Sequence, residues 1–286
     1  MDVAPVEDIV LSHGLCPMFY ADDSQIYLTM WLGNRNVSII GWYSNNFLLC
    51  NPAKTRVIYF SSKFIDKDPI PSMNIGANTI KLESAICDLG VLLDNHLDMS
   101  RQVNNTCKSA SLLAIHNIGK IRNYLDQPTA EKLIHAFVTS KIDFCNSLLF
   151  GLPKKQLDKL QCILNAAARI ATKTKRCQHI SPVLRKLHWL PVTKRIEFKI
   201  ITMTYKALNG MAPSYICHLL QVHQPNRNLG SASRGLSLVV PPYQTRAYDA
   251  RSFSVAAPTL WNSLPVDIKN AQSLFIFKKE AQNIFI

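Results

Sequence analysis

The chain has 286 residues, of which 48% are hydrophobic, and its formal net charge is +13. This composition predicts a folded protein of one large domain or two smaller ones, and the basic excess favours nucleic acid or another acidic partner. Because the opening residues are acidic and no apolar run approaches ~18 residues, we expect neither secretion nor a membrane span. The 8 cysteines include no C-x-x-C pair, which favours thiols in a reducing compartment over a disulfide framework.

The first hundred residues predict mainly short strands. Aromatic and β-branched residues flank the turn pair Asp22–Asp23, so residues 17–31 are expected to form two strands around it. The segment NVSIIGWYSNNFLLCN predicts an amphipathic helix ending near Asn45–Asn46. A strand is predicted at 57–60, and NTIKL and ICDLGVLLD predict a strand pair that turns at Ser84–Ala85.

From about residue 100 the spacing of apolar residues becomes helical. Five helices are predicted in this part of the chain, at 101–121, 129–151, 154–173, 181–190 and 193–210. Thr129 and Ser181 are the expected N-caps of the second and fourth helices. Gly151 lies past the end of the second, and Gly210 closes the fifth.

The last part of the chain differs in composition. Residues 224–235 are polar and rich in Gly, Ser and Arg, which predicts a loop or hinge. A short strand interrupted by prolines is predicted at 236–242, and an irregular apolar segment at 253–265. The spacing at 273–285 predicts a closing helix.

Several longer segments carry a more specific signal because they occur in one order. DIVLSHGLCPMFYADDSQIYL resembles the segment that leads into the reverse transcriptase active-site hairpin of LINE-type (non-LTR) retrotransposons of the jockey and chicken-repeat kind. NNFLLCNPAKTRVIYF resembles the palm segment after it, with its N-x-x-K-T core, and LGVLLDNHLDM resembles the primer-grip strands. The family's C-terminal tail is similar to KIDFCNSLLFGLP, LQCILNAAARI, LHWLPVTKRIEFKI, YKALNGMAPSYI and FSVAAPTLWNSLP.

The resemblance implies an α+β fold with a partial reverse transcriptase palm at 1–100. A basic helical, thumb-like region at 101–223 and a mixed C-terminal tail at 224–286 would follow. The implied activity is RNA-directed DNA polymerisation, a phosphoryl transfer with an RNA template and a DNA primer as partners. The way such elements replicate places the protein in the nucleus or cytoplasm.

The resemblance also implies a set of catalytic residues. Asp22 would be a Mg²⁺ ligand with Asp23 beside it, and Tyr20 would shape the hairpin turn near the nucleic acid. Lys54 corresponds to a basic residue near the pyrophosphate leaving group. The family needs another metal-binding Asp on a separate upstream strand, and no segment of this sequence matches that strand. We therefore expect weak Mg²⁺ binding and no catalysis by these residues alone.

The basic excess is concentrated in the predicted thumb-like region. Residues 101–213 carry 19 Lys and Arg against 5 Asp and Glu, a net +14. A cluster covers the third predicted helix and its end, and it would bind nucleic-acid backbone if its members share a face: Lys154, Lys155, Lys159, Arg169, Lys173, Lys175 and Arg176.

Plainer interpretations stand beside each of these assignments. Asp22–Asp23 could be an exposed hairpin turn, Lys54 a solvated loop lysine, and the basic cluster a solvated helix face. Trp189 and Trp261 lie in apolar contexts that favour core packing over base stacking. Three functions stay open: a truncated reverse transcriptase, a nucleic-acid-binding module without catalysis, and a transposon relic without a selected role.

Overall fold

A computed structural model of the chain describes residues 16–20, 23–27, 54–61, 72–75, 78–223, 236–245 and 248–285. The chain divides into two compact units, Met1–Leu97 and Asp98–Ile286. The described elements of the first unit are β-strands, and those of the second are helices with one isolated bridge. Strands and helices therefore segregate along the chain, which confirms the α+β class.

The described part of the first unit begins with an antiparallel hairpin. Strands β1 (Cys16–Tyr20) and β2 (Asp23–Tyr27) pair from Cys16↔Tyr27 to Tyr20↔Asp23, which confirms the strand pair predicted there. The helix predicted to end near Asn45–Asn46 lies outside the described residues.

A three-stranded sheet follows, with the order β3-β5-β4. Its strands are β3 (Val57–Ile58), β4 (Ser72–Ile75) and β5 (Asn78–Glu83). The central strand β5 pairs antiparallel with β4 and parallel with β3. Strand β3 confirms the start of the strand predicted at 57–60, although it is shorter than expected.

The next hairpin corrects the predicted pairing at Ser84–Ala85. Strand β6 (Ala85–Asp88) pairs with β7 (Val91–Asp94) around Leu89–Gly90, and β5 pairs elsewhere. Leu89 and Gly90 have φ values of 44° and 84°. Two central residues with positive φ make the tight hairpin turn that matches the twist of the strands. The turn residues therefore lie inside the segment that the sequence pattern assigned to one strand.

The second unit is built from helices of very different lengths. Their bounds are α1 Ser100–Ser109, α2 His116–Ile121, α3 Gln127–Ile134, α4 Ser140–Asp143, α5 Lys154–Thr172, α6 Ser181–Lys186, α7 Val192–Leu208, α8 Ser214–Cys217, α9 Phe253–Asn262, α10 Val266–Lys269 and α11 Leu274–Phe285. Turns of π-helix at 110–115 and 135–139 join α1 to α2 and α3 to α4. The helices predicted at 101–121, 154–173, 193–210 and 273–285 are confirmed, while the one predicted at 181–190 ends at Lys186.

Two predicted N-caps are wrong. Asp126, not Thr129, caps α3, and its carboxylate accepts a hydrogen bond from the Thr129 amide at 3.3 Å. Pro128 occupies the first turn, where a missing amide costs nothing, so the helix begins two residues earlier than predicted. Helix α6 already includes Ser181, and its N-cap is Ile180 without a side-chain bond.

The helix predicted at 129–151 stops early. It ends at Asp143, Phe144 is extended, and Cys145 has a φ of 49°. A short 3-10 helix at Asn146–Leu149 follows, and the Asn146 amide donates to the Asp143 carboxylate at 3.3 Å. This local bond stabilises the break in a sequence whose apolar spacing is continuous.

The core of the second unit lies around α7. Helices α5, α9 and α11 all contact it. Trp261 of α9 and Phe277 of α11 are 1% and 0% exposed, and the Phe277 ring stacks on Tyr205 of α7 at 4.4 Å between centroids. The segment at 253–265 is therefore helical over α9 rather than irregular as predicted. Pro258 lies inside this helix, on its buried face.

The segment at 236–242 also differs from the prediction. Its strand is reduced to an isolated antiparallel bridge between Leu238 and Val222. Leu238 is anchored by Asn262, whose amide donates to the Leu238 carbonyl at 2.8 Å and whose oxygen accepts from the Leu238 amide at 2.9 Å. No helix in the described part of the chain is long and apolar enough to cross a lipid bilayer.

Candidate nucleic-acid interface

The residues of the predicted catalytic hairpin are only partly described. Tyr20 and Asp23 pair across the β1–β2 hairpin, whereas Asp22 lies outside the described residues. Lys54 is an exposed turn residue three positions before β3. Tyr20 and Asp23 therefore have a defined backbone register within the hairpin.

The described residues do not themselves assemble a metal site. Among them, no group of three or more His, Cys, Asp or Glu side chains converges as a cation would need. Of the two predicted ligands, only Asp23 lies within the described residues, and the structure defines its backbone pairing with Tyr20. A magnesium centre here would need Asp22 and a further carboxylate besides Asp23.

Helix α5 has two chemically different faces. Its buried residues form a stripe of small and branched apolar side chains: Leu160, Ile163, Leu164, Ala167, Ala168 and Ala171. At 100° per residue, Lys155, Lys159, Arg169 and Lys173 fall on the side opposite that stripe. We call these four residues the α5 basic face. The structure thus brings together four of the seven basic residues that the sequence singled out.

Two lysines of the α5 basic face lie near its N-terminal end. Lys155 is exposed, and its neighbour Lys154, the first residue of α5, is exposed as well. The Lys159 ammonium donates to the side-chain oxygen of Asn104 on α1 at 2.8 Å. Asp158 is the single acidic residue of α5, so basic side chains dominate this end of the helix.

The contact between α1 and α5 also has an electrostatic signature. Burial raises the pKa of the Cys107 thiol on α1, the Lys159 ammonium opposes that shift, and Cys162 on α5 adds to it. The Lys159 charge on α5 thus acts on the partly buried Cys107 thiol of α1. Lys159 therefore extends the basic surface from α5 toward α1.

The C-terminal end of α5 holds the other half of the basic face. Lys173 ends the helix with a φ of 55°, and the Thr174 amide donates back to the Arg169 carbonyl at 3.0 Å. The Arg169 guanidinium donates to the Gln178 carbonyl at 3.1 Å, which holds the following turn against the helix. Lys175 and Arg176 are exposed in that turn.

The aromatic residues considered from the sequence are core residues. Trp189 is 4% exposed, and the Trp261 indole donates to the Leu236 carbonyl at 2.9 Å. Tyr124, which the sequence analysis did not single out, is 89% exposed between α2 and α3. The sequence contains a signal for this exposure: Tyr124 lies between Asn123 and Asp126, the N-cap of α3. An aromatic residue in such a turn has no apolar helix face to join.

No protein-family model matches this chain, and no curated protein or solved structure matches it significantly.

Proposed function

We propose that this chain is a segment of a non-LTR retrotransposon reverse transcriptase whose helical unit binds nucleic acid through the α5 basic face. The observation that carries the binding proposal is the placement of Lys155, Lys159, Arg169 and Lys173 opposite the buried stripe of one helix. The reverse transcriptase origin is supported by the ordered sequence resemblances, from the YADD hairpin to the FSVAAPTLWNSLP segment.

The dimensions and chemistry of the α5 basic face suit a polyanion. Lys155 and Lys173 are separated by about 27 Å along the helix at about 1.5 Å per residue. This length lets the face contact several successive phosphates of one strand. Ammonium groups bind phosphates as point charges, and we propose that this contact recognises backbone and shape rather than base sequence.

The proposed catalytic role belongs to the hairpin. Asp22 and Asp23 would hold Mg²⁺, which supplies charge stabilisation for the attacking and leaving oxygens of phosphoryl transfer. Lys54 would offset charge at the leaving group. The third carboxylate has no match in these 286 residues, so we propose that another polypeptide segment supplies it and that these residues alone do not extend a primer.

The binding proposal is tested by removing three charges from the face. We expect the triple variant Lys155→Ala, Lys159→Ala and Lys173→Ala to bind a short RNA–DNA hybrid more weakly and with a smaller salt dependence. Losing three phosphate contacts lowers the slope of log K against log salt by about 2 to 3. The measurement is fluorescence anisotropy over a salt series.

A matched control removes the same charge elsewhere. Lys186, Lys278 and Lys279 are exposed on α6 and α11, so a second triple alanine variant has the same net charge as the first. Equal loss of binding in both variants would mean that only net charge matters, and the α5 basic face would lose its assignment.

The catalytic proposal is tested by primer extension on an RNA template with Mg²⁺. The chain, Asp22→Ala and Asp23→Ala are compared on the same samples that are scored for binding. Binding without extension in all three is the expected result. Extension that both variants abolish would show that these residues assemble a complete catalytic site.

A further inference from the structure

Tyr124 stands out from every other large apolar side chain in the described part of the chain. Its exposed fraction of 89% is higher than that of Phe275, the next highest at 77%. It ends the 3-10 turn Arg122–Tyr124 that follows α2, and Leu125 then leaves in an extended conformation. An aromatic ring in such a turn does not pack in the core, so its faces are free to contact a ligand.

The turn that carries Tyr124 is fixed to the end of α5. Arg122 is only 8% exposed, and its guanidinium donates to the Ile170 carbonyl at 2.8 Å and to the Ala171 carbonyl at 2.7 Å. The same group donates to the Leu125 carbonyl at 2.6 Å. One guanidinium therefore holds the residue after Tyr124 beside the last turn of α5, two residues before Lys173.

The surroundings of Tyr124 are mainly basic. Lys120 lies one turn before it on α2 and is exposed, and Lys173 follows the carbonyls that Arg122 binds. Asp126 is the nearby acid, and its carboxylate accepts the Thr129 amide as the N-cap of α3. The turn that carries Tyr124 is thus held beside the C-terminal end of α5, where the basic face ends at Lys173.

We propose that Tyr124 stacks on an unpaired nucleobase of the strand whose phosphates contact the α5 basic face, an inference that rests on the proposed function. Every base has a π-face, so a tyrosine ring binds single strands without reading sequence. A base inside a duplex is already stacked on both sides, and its faces are closed to the ring. Tyr124 therefore selects an unpaired, single-stranded segment.

The test uses the full chain and a short single-stranded oligonucleotide that contains 2-aminopurine, whose fluorescence changes when the base is stacked. We expect Tyr124→Ala to raise the Kd about fivefold or more and to abolish the fluorescence change. Tyr124→Phe keeps both, because stacking uses the ring and not the hydroxyl. Tyr215→Ala is the matched control: Tyr215 is 60% exposed on α8 and should be replaceable without effect.

The outcomes separate this inference from the proposed function. If Tyr124→Ala binds and quenches like Tyr215→Ala while the triple lysine variant of α5 loses binding, stacking is wrong and the basic face stands. If Tyr124→Ala loses binding and the triple lysine variant does not, Tyr124 binds the oligonucleotide away from the α5 basic face, and both the basic face and the inference that rests on it are wrong. A wild-type chain that binds no oligonucleotide overturns both.

A blunt-ended duplex of the same sequence provides the last comparison. We expect Tyr124→Ala to bind it within about twofold of wild type, since no unpaired base is offered. An equal loss on duplex and single strand would mean that Tyr124 contributes to binding without base stacking, which would overturn the inference.

Discussion

Two glycines of the second unit share a left-handed backbone and differ in their neighbours. Gly151 and Gly210 have φ values of 69° and 67°. A Cβ on Gly151 would lie 2.7 Å from Cγ of Arg251, whereas a Cβ on Gly210 would meet nothing within 4 Å. Arg251 cannot move away freely, because its guanidinium donates to the Phe150 carbonyl at 3.0 Å and to the Leu148 carbonyl at 3.2 Å.

This pair predicts two different losses of stability for the same substitution. Gly210→Ala should lower the free energy of unfolding by about 1 kcal/mol, the cost of a side chain at positive φ. Gly151→Ala adds the clash with Arg251, so its loss should be about 2 kcal/mol or more. Urea unfolding of both variants measures the difference. Equal losses would show that Arg251 adapts without cost.

The surroundings of His135 predict that the stability of the second unit depends on pH. Its Nδ1 lies 3.0 Å from the Thr139 hydroxyl, and its ring centroid is 5.1 Å from that of Trp189. Partial burial and the Arg195 guanidinium lower the pKa of His135 below its usual value. The folded chain therefore binds the proton less readily than the unfolded chain does.

The sign of the effect follows from this lowered pKa. Above the unfolded value near 6.5, His135 is neutral in both states and its full contribution is present. As the pH falls below about 6.5 through the folded pKa, the unfolded state takes up a proton first and the contribution is lost. We expect the unfolding free energy to drop between pH 7.5 and 5.5, and to drop less in His135→Gln.

A second titrating group limits the useful pH range. Burial raises the pKa of Asp143, although the Arg195 guanidinium, 2.6 Å from its carboxylate, opposes the shift. Because the pKa of Asp143 is raised in the folded state, its protonation stabilises the fold as the pH falls toward the ordinary carboxyl value near 4. This effect is opposite to that of His135. An identical drop between pH 7.5 and 5.5 in wild type and His135→Gln would contradict the assignment to His135.

At the scale of elements, the long helices were predictable and the short turns were not. Helices α5 and α7 have apolar residues at regular helical spacing, and their bounds agree with the prediction within two residues. The exposure of Lys154, Lys155 and Lys173 follows from the same spacing. The exposure of Tyr124 does not follow from that spacing, because it depends on how Arg122 binds two carbonyls of α5 that are distant in sequence.

Proline and turn chemistry account for the elements that the sequence pattern placed wrongly. Proline usually ends a helix. Helix α9 nevertheless continues through Pro258, because Ala257 and Trp261 beside it are buried against the core. The Leu89–Gly90 turn was missed because Leu89 is apolar and takes a positive φ that few non-glycine residues adopt. Tertiary packing decides the case of Pro258, and a single sequence does not contain it.

Helix α11 offers a direct test of which face holds the tail to the core. Phe277 is 0% exposed and packs on α7, whereas Phe275, two residues earlier on the same helix, is 77% exposed. Phe277→Ala should lower the free energy of unfolding by about 3 to 5 kcal/mol, and Phe275→Ala by less than about 0.5. Chemical denaturation of both variants measures this. Similar losses would mean that α11 is not docked as described.

At the scale of the whole chain, the second unit has the features of an independent domain. Its largest buried side chains, which include Trp261, Phe277 and Ile134, belong to residues 98–286, and so do the partners that stack on Phe277. The tail helices α9 and α11 contact α7 rather than forming a separate core. The fragment therefore contains both the hydrophobic core and the α5 basic face.

We expect residues 98–286, expressed alone, to unfold in one cooperative transition and to bind the RNA–DNA hybrid within about threefold of the full chain. The reason is that a unit with its own core folds by itself, and that the proposed phosphate contacts all lie within it.

A shorter fragment, 98–223, is the control. It lacks Trp261 and Phe277, so the apolar side of α7 that they cover is exposed. We expect this control to aggregate or to lose cooperative unfolding. Cooperative folding of 98–223 with unchanged stability would show that the tail is dispensable. A fragment 98–286 that folds but does not bind would move the nucleic-acid contacts to the first unit.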